Sequence, residues 1–222
     1  MDTFYPLVER FVSINGEGPK AGMTAAFLRM KGCNLSCNYC DTAWANVPDC
    51  PCDLLSVPEI LQWLRETGVV NVTLTGGEPL LIPDIGALIE AMGAEGYAVE
   101  IETNGSVDLA PFDRLPHRPA FTMDYKCPDS GMEAFMHTGS FSLLQTQDTV
   151  KFVVSSEKDL RRAEEITRQY NLTKHCRVYL SAVFGRIEPK AITEYMIRHH
   201  WNDVRLQLQM HKFIWPPQQR GV

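Results

Sequence analysis

The chain has 222 residues, of which 45% are hydrophobic and 22% are charged, and its formal net charge is −6. This composition is ordinary for a globular protein with enough chain to bury a core, so we expect a single domain over residues 1–222. The acidic balance argues against a nucleic-acid partner, and no apolar run reaches the roughly 20 residues of a membrane helix. Residues 1–6 lack the features of a secretory signal, so we expect a cytoplasmic protein.

Short apolar runs alternate with longer segments of helical periodicity. The predicted strands are Thr24–Met30, Asn71–Thr75, Ala98–Thr103, Ala120–Asp124, Thr149–Ser155, Arg177–Ala182 and Val204–Gln209. The predicted helices are Val57–Thr67 with Ser56 as its N-cap, Pro83–Glu95, Lys158–Tyr170 and Pro189–His200. This alternation predicts a parallel sheet covered by helices.

Polar residues gather where the predicted strands end. They include Gly76-Gly77-Glu78, Glu102-Thr103-Asn104, Asp124-Tyr125-Lys126, Ser155, Ser181 and Gln209. A (β/α) barrel builds its active site at this edge. Since about six strand–helix units are too few to close an eight-stranded barrel, we predict an abridged, partial (β/α)6-like barrel with the helices outside.

Three of the seven cysteines form a CxxxCxxC run, Cys33, Cys37 and Cys40, on the loop after the first predicted strand. Three thiolates can hold three irons of a [4Fe–4S] cluster and leave the fourth iron open. A zinc site or cysteines that only pack are the alternatives, although the first histidine is His117 and a structural zinc site needs a fourth ligand. Cys50 and Cys52 could form an auxiliary metal site with Cys127 or Cys176, but we favour incidental loop and core cysteines.

The cysteine run, with Tyr39 before its last member, resembles the radical S-adenosylmethionine superfamily. Gly76-Gly77-Glu78-Pro79 resembles its GGE motif, which holds the methionine part of S-adenosylmethionine. Smaller segments are similar to the 7-carboxy-7-deazaguanine synthase family, and the likeness runs from about Phe11 to the C-terminus. These segments are Ser13-Ile14-Asn15-Gly16-Glu17-Gly18, Arg29, Cys40-Asp41-Thr42, Gln209-Met210-His211-Lys212, Trp215 and Arg220-Gly221-Val222.

The resemblance implies residues that bind four ligands. A [4Fe–4S] cluster would bind Cys33, Cys37 and Cys40, and Mg²⁺ would bind the Thr42 hydroxyl. S-adenosylmethionine would contact Gly77, Glu78, Glu102, Asp124, Tyr125, Lys126 and Ser181. The pterin substrate would contact Ile14, Asn15, Gly16, Arg29, Thr75, His211 and Val222. Three positions depart from the family, which often has Gln at Asn15 and Ser-Pro at Asp124-Tyr125, whereas Lys126 matches it.

The implied activity is that of a lyase which converts 6-carboxy-5,6,7,8-tetrahydropterin to 7-carboxy-7-deazaguanine in 7-deazapurine (queuosine) biosynthesis. The family also implies a homodimer and an electron donor such as flavodoxin or ferredoxin. One alternative is a radical S-adenosylmethionine activase that generates a glycyl radical on a partner protein, and another is a non-enzymatic iron–sulfur or zinc protein.

Each site residue also has a plainer interpretation when it is taken alone. Asn15-Gly16-Glu17-Gly18 could be only a turn, Arg29 could form a surface ion pair and Thr42 could cap a turn. Glu102 could be a carboxylate at a strand end that has all its hydrogen-bond partners within the protein. His211 and Trp215 could simply pack the C-terminal tail against the rest of the chain. The joint occurrence of these residues in the family's order favours the functional interpretation.

Overall fold

The computed structural model describes residues 3–222, and these contain one nine-stranded sheet. Its strands are β1 (Phe4–Ile14), β2 (Thr24–Met30), β3 (Asp53–Ser56), β4 (Asn71–Gly76), β5 (Ala98–Thr103), β6 (Ala120–Tyr125), β7 (Thr149–Val154), β8 (Arg177–Ala182) and β9 (Arg205–Gln207). Their order across the sheet is β3-β1-β2-β4-β5-β6-β7-β8-β9. Strands β2 and β4 to β9 are parallel, whereas β1 runs antiparallel to both of its neighbours.

The sheet is open, since β3 and β9 form its two edges. The α-helices are α1 (Val57–Thr67), α2 (Ile85–Ala94), α3 (Ala110–Asp113), α4 (Glu157–Gln169), α5 (Pro189–Arg198) and α6 (His211–Ile214). Short 3₁₀ helices lie at Ala43–Asn46, Pro79–Leu81, Pro128–Ser130, Glu133–Phe135, Thr138–Leu143 and Leu172–Lys174. The predicted partial barrel with outer helices is therefore confirmed. None of the described helices is long and apolar enough to cross a membrane.

Strands β1 and β3 were missed by the sequence prediction. That prediction followed the alternation of strands with crossover helices, and it placed the first strand at Thr24. Strands β1 and β3 instead pair antiparallel at one edge of the sheet, and such pairing needs no crossover helix. The missed strands matter for function because β1 leads into the loop after Ile14 and carries Glu9 to the cavity described below.

Helix α1 shows why some bounds were predictable. Ser56 precedes it, and the Glu59 carboxylate accepts hydrogen bonds from the Ser56 N–H at 2.8 Å and the Ser56 hydroxyl at 2.6 Å. Gly68 ends the helix in the left-handed conformation, with φ of 66°. These are local signals that the sequence carries directly, and the predicted bounds agree with the structure at both ends.

The two faces of the sheet differ in character, since successive strand residues point to opposite sides. One face is apolar and packs against the helices, with α2 on β5, α4 on β7 and α5 on β8. Its buried residues include Leu28, Leu74, Ile101, Met123, Phe152 and Leu180. The other face carries polar side chains on the same strands, among them Arg29, Thr75, Glu102, Asp124 and Lys151. The fold thus encloses a polar interior above an apolar core.

Candidate active site

A cavity of about 800 Å³ opens at the carboxyl end of the parallel strands. Its floor is built by side chains near the ends of β2, β4, β5, β6 and β7. Its rim is built by the loop of residues 33–42 on one side and by the C-terminal residues 217–222 on another. Because consecutive parallel strands end at the same edge, residues far apart in sequence meet here.

The three cysteines of the CxxxCxxC run are half-buried and line this cavity together. Cys33 Sγ lies 3.4 Å from the Leu35 amide nitrogen and 3.4 Å from Asn104 Nδ2, so two N–H donors point at this sulfur. Tyr39 anchors the loop, since its hydroxyl donates to the Val153 carbonyl on β7 at 3.2 Å. Three accessible thiols at one cavity, with two N–H donors beside the first of them, fit a cluster held by Cys33, Cys37 and Cys40.

The other four cysteines lie elsewhere. Cys127 and Cys176 are buried in the core, and burial raises the pKa of both thiols. Cys50 is also buried, and Cys52 is half-buried next to it; neither lines the cavity. Among the described residues, no three His, Cys, Asp or Glu side chains converge on a position for a single metal ion.

The Gly76-Gly77 turn at the end of β4 packs against the start of the cysteine loop. A Cβ on Gly77 would lie 1.8 Å from the Gly32 carbonyl oxygen, and one on Gly76 would lie 2.3 Å from the Met30 carbonyl oxygen. The backbone of Gly77 and Glu78 donates to these same two carbonyls, to Met30 at 3.2 Å and to Gly32 at 2.8 Å. Any larger residue would push the cysteine loop away from β4, so both glycines fix the position of that loop.

Two polar groups beside this turn are free to bind ligands. Asn46 Oδ1 is buried at the cavity wall next to Gly77 and has no hydrogen-bond partner among the described residues. Such an orphaned acceptor fits the amino group of S-adenosylmethionine. The Thr42 hydroxyl has a long contact of 3.5 Å to the Gly76 carbonyl and lies 3.6 Å from Cys40 Sγ, so its oxygen keeps a lone pair for a ligand.

A network of charges forms the cavity floor. Lys126 Nζ donates to Asp124 Oδ2 at 2.5 Å, and Lys151 Nζ lies 3.4 Å from Asp124 Oδ1 and 3.3 Å from Glu17 Oε2. The second Glu17 oxygen accepts a hydrogen bond from the Ser181 hydroxyl at 3.0 Å. Burial opposes the charge on Lys151, but Asp124 and then Glu17 outweigh it and hold its pKa well above the usual range. Lys151 is therefore a fixed cation at the centre of the floor.

Glu102 stands beside this network. Its carboxylate accepts a hydrogen bond from the Thr75 hydroxyl at 2.7 Å, and Thr75 is the neighbouring residue on β4. Burial raises the pKa of Glu102, while Lys151 acts in the opposite direction. Both Glu102 and Thr75 face the cavity, so they present a polar pair to any ligand on the floor.

Arg29 on β2 is part of the cavity wall. Its Nε donates to Glu9 Oε2 on β1 at 2.9 Å, and both side chains are mostly buried at the cavity. Among the described residues this is the one ion pair of Arg29, and it uses only Nε of the guanidinium. The terminal nitrogens can thus bind an anion in the cavity.

The loop after β1 meets the C-terminal segment at the same wall. Gly16 lines the cavity, and its carbonyl accepts from the Met210 N–H at 3.1 Å. His211 follows on α6 and also lines the cavity; burial lowers its pKa, which favours the neutral imidazole.

Comparison with known proteins agrees with this geometry. The Radical SAM superfamily model matches residues 27–124. A 7-carboxy-7-deazaguanine synthase from Clostridium acetobutylicum is 53% identical over 98% of this chain and 99% of its own length. The chain belongs to the 7-carboxy-7-deazaguanine synthase family. A second such synthase, from Chlorobaculum tepidum, is 35% identical over the full length of both chains.

A solved structure also shares the fold. The crystal structure of QueE from Escherichia coli superposes with a TM-score of 0.76 and covers 94% of this chain and 95% of its own. The sequence identity is 22%, so this likeness concerns the fold alone.

Most of the predicted site residues of this family member lie at one cavity. Those that line it are Gly16, Arg29, Cys33, Cys37, Cys40, Thr42, Thr75, Gly77, Glu102, Asp124, Lys126, His211 and Val222. Five do not line it: Ile14, Asn15, Glu78, Tyr125 and Ser181.

The five exceptions have separate structural reasons. Ile14 ends β1, and Asn15 is buried behind the cavity wall, where its Oδ1 accepts from the Thr73 hydroxyl at 3.0 Å. Tyr125 follows Asp124 on β6, so strand alternation turns it to the helix side, where its hydroxyl donates to Glu133 at 2.7 Å. Ser181 contacts Glu17 instead of the cavity.

Glu78 is fully buried and accepts three hydrogen bonds. Its donors are the Leu80 N–H at 3.0 Å, the Thr103 hydroxyl at 2.9 Å and the Asn104 N–H at 2.6 Å. The carboxylate thereby ties the turn after β4 to the end of β5. Its predicted contact with S-adenosylmethionine would need these hydrogen bonds to rearrange.

The sequence analysis missed two residues of the cavity floor. It did not identify Lys151, and it included Glu17 in a family segment but did not identify it as a site residue. Lys151 carried a signal, since it is the one charge in the apolar strand Thr149–Val154. A lysine buried in a strand needs carboxylate partners, which predicts acidic residues on the neighbouring strands.

The buried state of Glu78 leads to a prediction about stability. Burial raises the pKa of Glu78 from 4.5 to about 7 despite its three hydrogen bonds. Between these values the folded state holds a proton that the unfolded state has lost, so the free energy of unfolding should fall as the pH rises from 4.5 to 7. For this one group the fall should be about 3 kcal/mol.

Denaturant titrations of the wild type and of Glu78→Gln at several pH values would measure this effect. The variant should be less stable overall, because its amide nitrogen would face the Asn104 N–H. The difference in unfolding free energy between the two proteins should nevertheless shrink as the pH rises. A difference that stays constant from pH 4.5 to 7 would contradict the raised pKa.

Proposed function

We propose that this chain is a radical S-adenosylmethionine lyase that converts 6-carboxy-5,6,7,8-tetrahydropterin to 7-carboxy-7-deazaguanine, a step in 7-deazapurine (queuosine) biosynthesis. The observation that carries the proposal is that the three loop cysteines line a polar cavity at the ends of the parallel strands, in a chain that belongs to this family. A bound cluster and S-adenosylmethionine would supply a 5′-deoxyadenosyl radical that takes a hydrogen atom from the substrate.

The residues of the chain would bind and orient the reactants. Cys33, Cys37 and Cys40 would hold the cluster, and the acceptor on Asn46 beside Gly77 would bind the amino group of S-adenosylmethionine. The substrate is an anion, so its carboxylate needs a cation. The free end of the Arg29 guanidinium can supply one, and it faces the cavity.

We also propose that Mg²⁺ binds at the Thr42 hydroxyl and completes its shell with the substrate carboxylate and waters. Thr42→Ala should weaken the stimulation of turnover by Mg²⁺ while the absorbance of the cluster stays unchanged. The reason is that one oxygen ligand is lost from a weak site, whereas the nearby Cys40 is untouched. Turnover measured over a range of Mg²⁺ concentrations would show the effect.

Thr42→Ser is the matched control for this variant, because it keeps the hydroxyl and removes only a methyl group. It should retain the Mg²⁺ response of the wild type. If Thr42→Ala also retained that response, the cation would have to bind elsewhere.

The electron donor and the oligomeric state belong to the same proposal. A one-electron donor such as flavodoxin or ferredoxin would reduce the cluster, and the chain would form a homodimer. Family resemblance supports both proposals. Analytical ultracentrifugation and reduction by each donor under anaerobic conditions would test them.

The decisive experiment is an anaerobic reaction of the reduced, reconstituted protein with S-adenosylmethionine, Mg²⁺ and 6-carboxy-5,6,7,8-tetrahydropterin, analysed by mass spectrometry. We expect 7-carboxy-7-deazaguanine and 5′-deoxyadenosine. The tetrahydropterin without its carboxylate should be a poor substrate, because Arg29 and Mg²⁺ would be left without their partner. Formation of 5′-deoxyadenosine without the deazaguanine product would contradict the proposed reaction.

A further inference from the structure

The loop between β1 and β2, residues 15–23, contacts strands that lie far from both in the sheet. The Lys20 ammonium donates to the Ala98 carbonyl at the start of β5 at 3.1 Å. The Gly18 N–H donates to Gln207 Oε1 on β9 at 2.9 Å. Since β9 is one edge of the sheet and β1 lies next to the other edge, the loop crosses the inside of the open barrel from one end of the strand order to the other.

Glu17 fastens this loop with its carboxylate. One oxygen lies 3.3 Å from Lys151 Nζ on β7, and the other accepts a hydrogen bond from the Ser181 hydroxyl on β8 at 3.0 Å. The Glu17 and Lys151 side chains are 11% and 10% exposed, and Ser181 is fully buried. A carboxylate in such a place needs these donors, because without them its charge would be buried and uncompensated. The contacts therefore hold the loop against β7 and β8.

The same loop supplies part of the cavity wall. Gly16, directly before Glu17, lines the cavity, and a Cβ on it would lie 2.6 Å from His211 Nδ1. Gly18, directly after Glu17, has φ of 75°, and a Cβ there would lie 3.2 Å from Glu100 Oε1. Both neighbours of Glu17 are thus closely packed, and the backbone has little room on either side. A shift of the Glu17 side chain would therefore move Gly16 and the wall that it forms.

We propose that Glu17, Lys151 and Ser181 form a latch that holds the β1–β2 loop in place and so sets the position of the Gly16 wall. In the latch they are positioning residues, because both Glu17 oxygens are engaged by donors of the protein and the effect on a ligand passes through the loop. That this ligand is a pterin rests on the proposed function. The latch gives Ser181 a partner within the protein in place of the S-adenosylmethionine contact that the family resemblance implies.

Hydrogen exchange of the loop tests the latch without any turnover. The reconstituted protein, free of substrate, is labelled in deuterated buffer, and the peptide that covers residues 15–23 is followed by mass spectrometry. The Asn15 and Gly22 N–H groups report on opening, since they donate to the Met23 and Asn15 carbonyls, each at 2.8 Å. Glu17→Ala should make this peptide exchange about ten-fold to a hundred-fold faster, because it removes hydrogen bonds to a charged group.

Glu164 provides the matched control. Its side chain is 12% exposed and accepts a hydrogen bond from the Tyr195 hydroxyl at 2.8 Å, so it joins α4 to α5 as Glu17 joins the loop to the strands. It does not line the cavity, and Glu164→Ala should leave the exchange of residues 15–23 unchanged. Glu17→Gln keeps the size of the Glu17 side chain and removes only its charge. It should exchange at an intermediate rate, which guards against a folding defect in Glu17→Ala.

Ser181→Ala separates the latch from a direct contact with S-adenosylmethionine. Alone, it should speed the exchange of residues 15–23 by less than Glu17→Ala does, since it removes one of the two contacts of the carboxylate. In the Glu17→Ala background it should add nothing, because its partner is already gone. Wild-type exchange in Ser181→Ala, together with a raised KM for S-adenosylmethionine, would remove Ser181 from the latch.

Steady-state kinetics test the positioning role. Glu17→Ala should raise KM for the pterin by about ten-fold and change kcat less, because the substrate must then order the loop as it binds. Wild-type exchange in Glu17→Ala would overturn the latch, and a raised KM with that result would place Glu17 in contact with the substrate. Faster exchange with an unchanged KM would overturn the positioning role. Absence of product from the wild type would contradict the proposed function alone, and the exchange rates would still decide whether the latch exists.

Discussion

Replacement of Cys37 by alanine is expected to abolish assembly of the [4Fe–4S] cluster and all cleavage of S-adenosylmethionine. Cys37 is the middle of the three thiols that line one wall of the cavity, and a three-thiolate site with one ligand removed cannot hold the cube. Iron and sulfide analysis of the reconstituted variant, together with its visible absorbance, would measure the loss. Cys33→Ala and Cys40→Ala should behave in the same way.

Cys52→Ala provides the control, since Cys52 is half-buried like Cys37 but does not line the cavity. It should retain the iron content of the wild type. Iron content near four per chain in Cys37→Ala would refute the assignment of the cluster ligands. Loss of iron in Cys52→Ala would instead point to a role for the Cys50-Pro51-Cys52 segment.

Features encoded by short-range signals could be predicted from the sequence. Ser56 and Glu59 indicate where helix α1 begins. The parallel strands are indicated by apolar runs that end in polar residues. Antiparallel strands such as β1 and β3 form only if they pair with an open edge of the sheet. No local sequence pattern specifies that pairing. The cysteine run needs no such long-range information, because its three members lie within eight residues.

Side-chain direction was the main information that the sequence did not supply. Asp124 and Tyr125 are adjacent, and both were predicted to bind S-adenosylmethionine, but a strand points them to opposite faces. Glu78 follows a glycine turn that presses against the cysteine loop, and its carboxylate folds inward onto Thr103 and Asn104. A motif fixes the identity of such residues, whereas the packing of β4, β5 and β6 decides which of them reach the cavity.

The missed charges on the floor follow from the same limitation. Glu17 and Lys151 are 134 positions apart in sequence, and they meet because the loop after β1 folds over β7. Lys151 neutralises part of the negative charge of Glu17 and Asp124, so an anionic ligand can enter a cavity that also holds Glu102. Which of these distant charges pair depends on the order of the strands in the sheet, so the pairing becomes apparent only in the structure.

Arg29→Ala should lower kcat/KM for 6-carboxy-5,6,7,8-tetrahydropterin by about a hundredfold or more and leave the cluster intact. The guanidinium uses only Nε to bind Glu9, so its terminal nitrogens can form a charge-assisted, two-point contact with the substrate carboxylate. Removing one partner of such a largely buried pair has a large effect, because the remaining charge is left without compensation. Arg29→Lys should restore only part of the activity, since an ammonium cannot make the two-point contact.

A competing explanation is that Arg29 serves only to neutralise Glu9, whose bare carboxylate would repel an anionic substrate. Glu9→Gln and the double variant Arg29→Ala/Glu9→Gln separate the two roles. If Arg29 binds the substrate, Glu9→Gln should remain active and the double variant should be as defective as Arg29→Ala. If Arg29 only neutralises Glu9, the double variant should recover activity. Recovery to near the wild-type kcat/KM would therefore remove Arg29 from the substrate site and leave the substrate carboxylate to the Mg²⁺ proposed at Thr42.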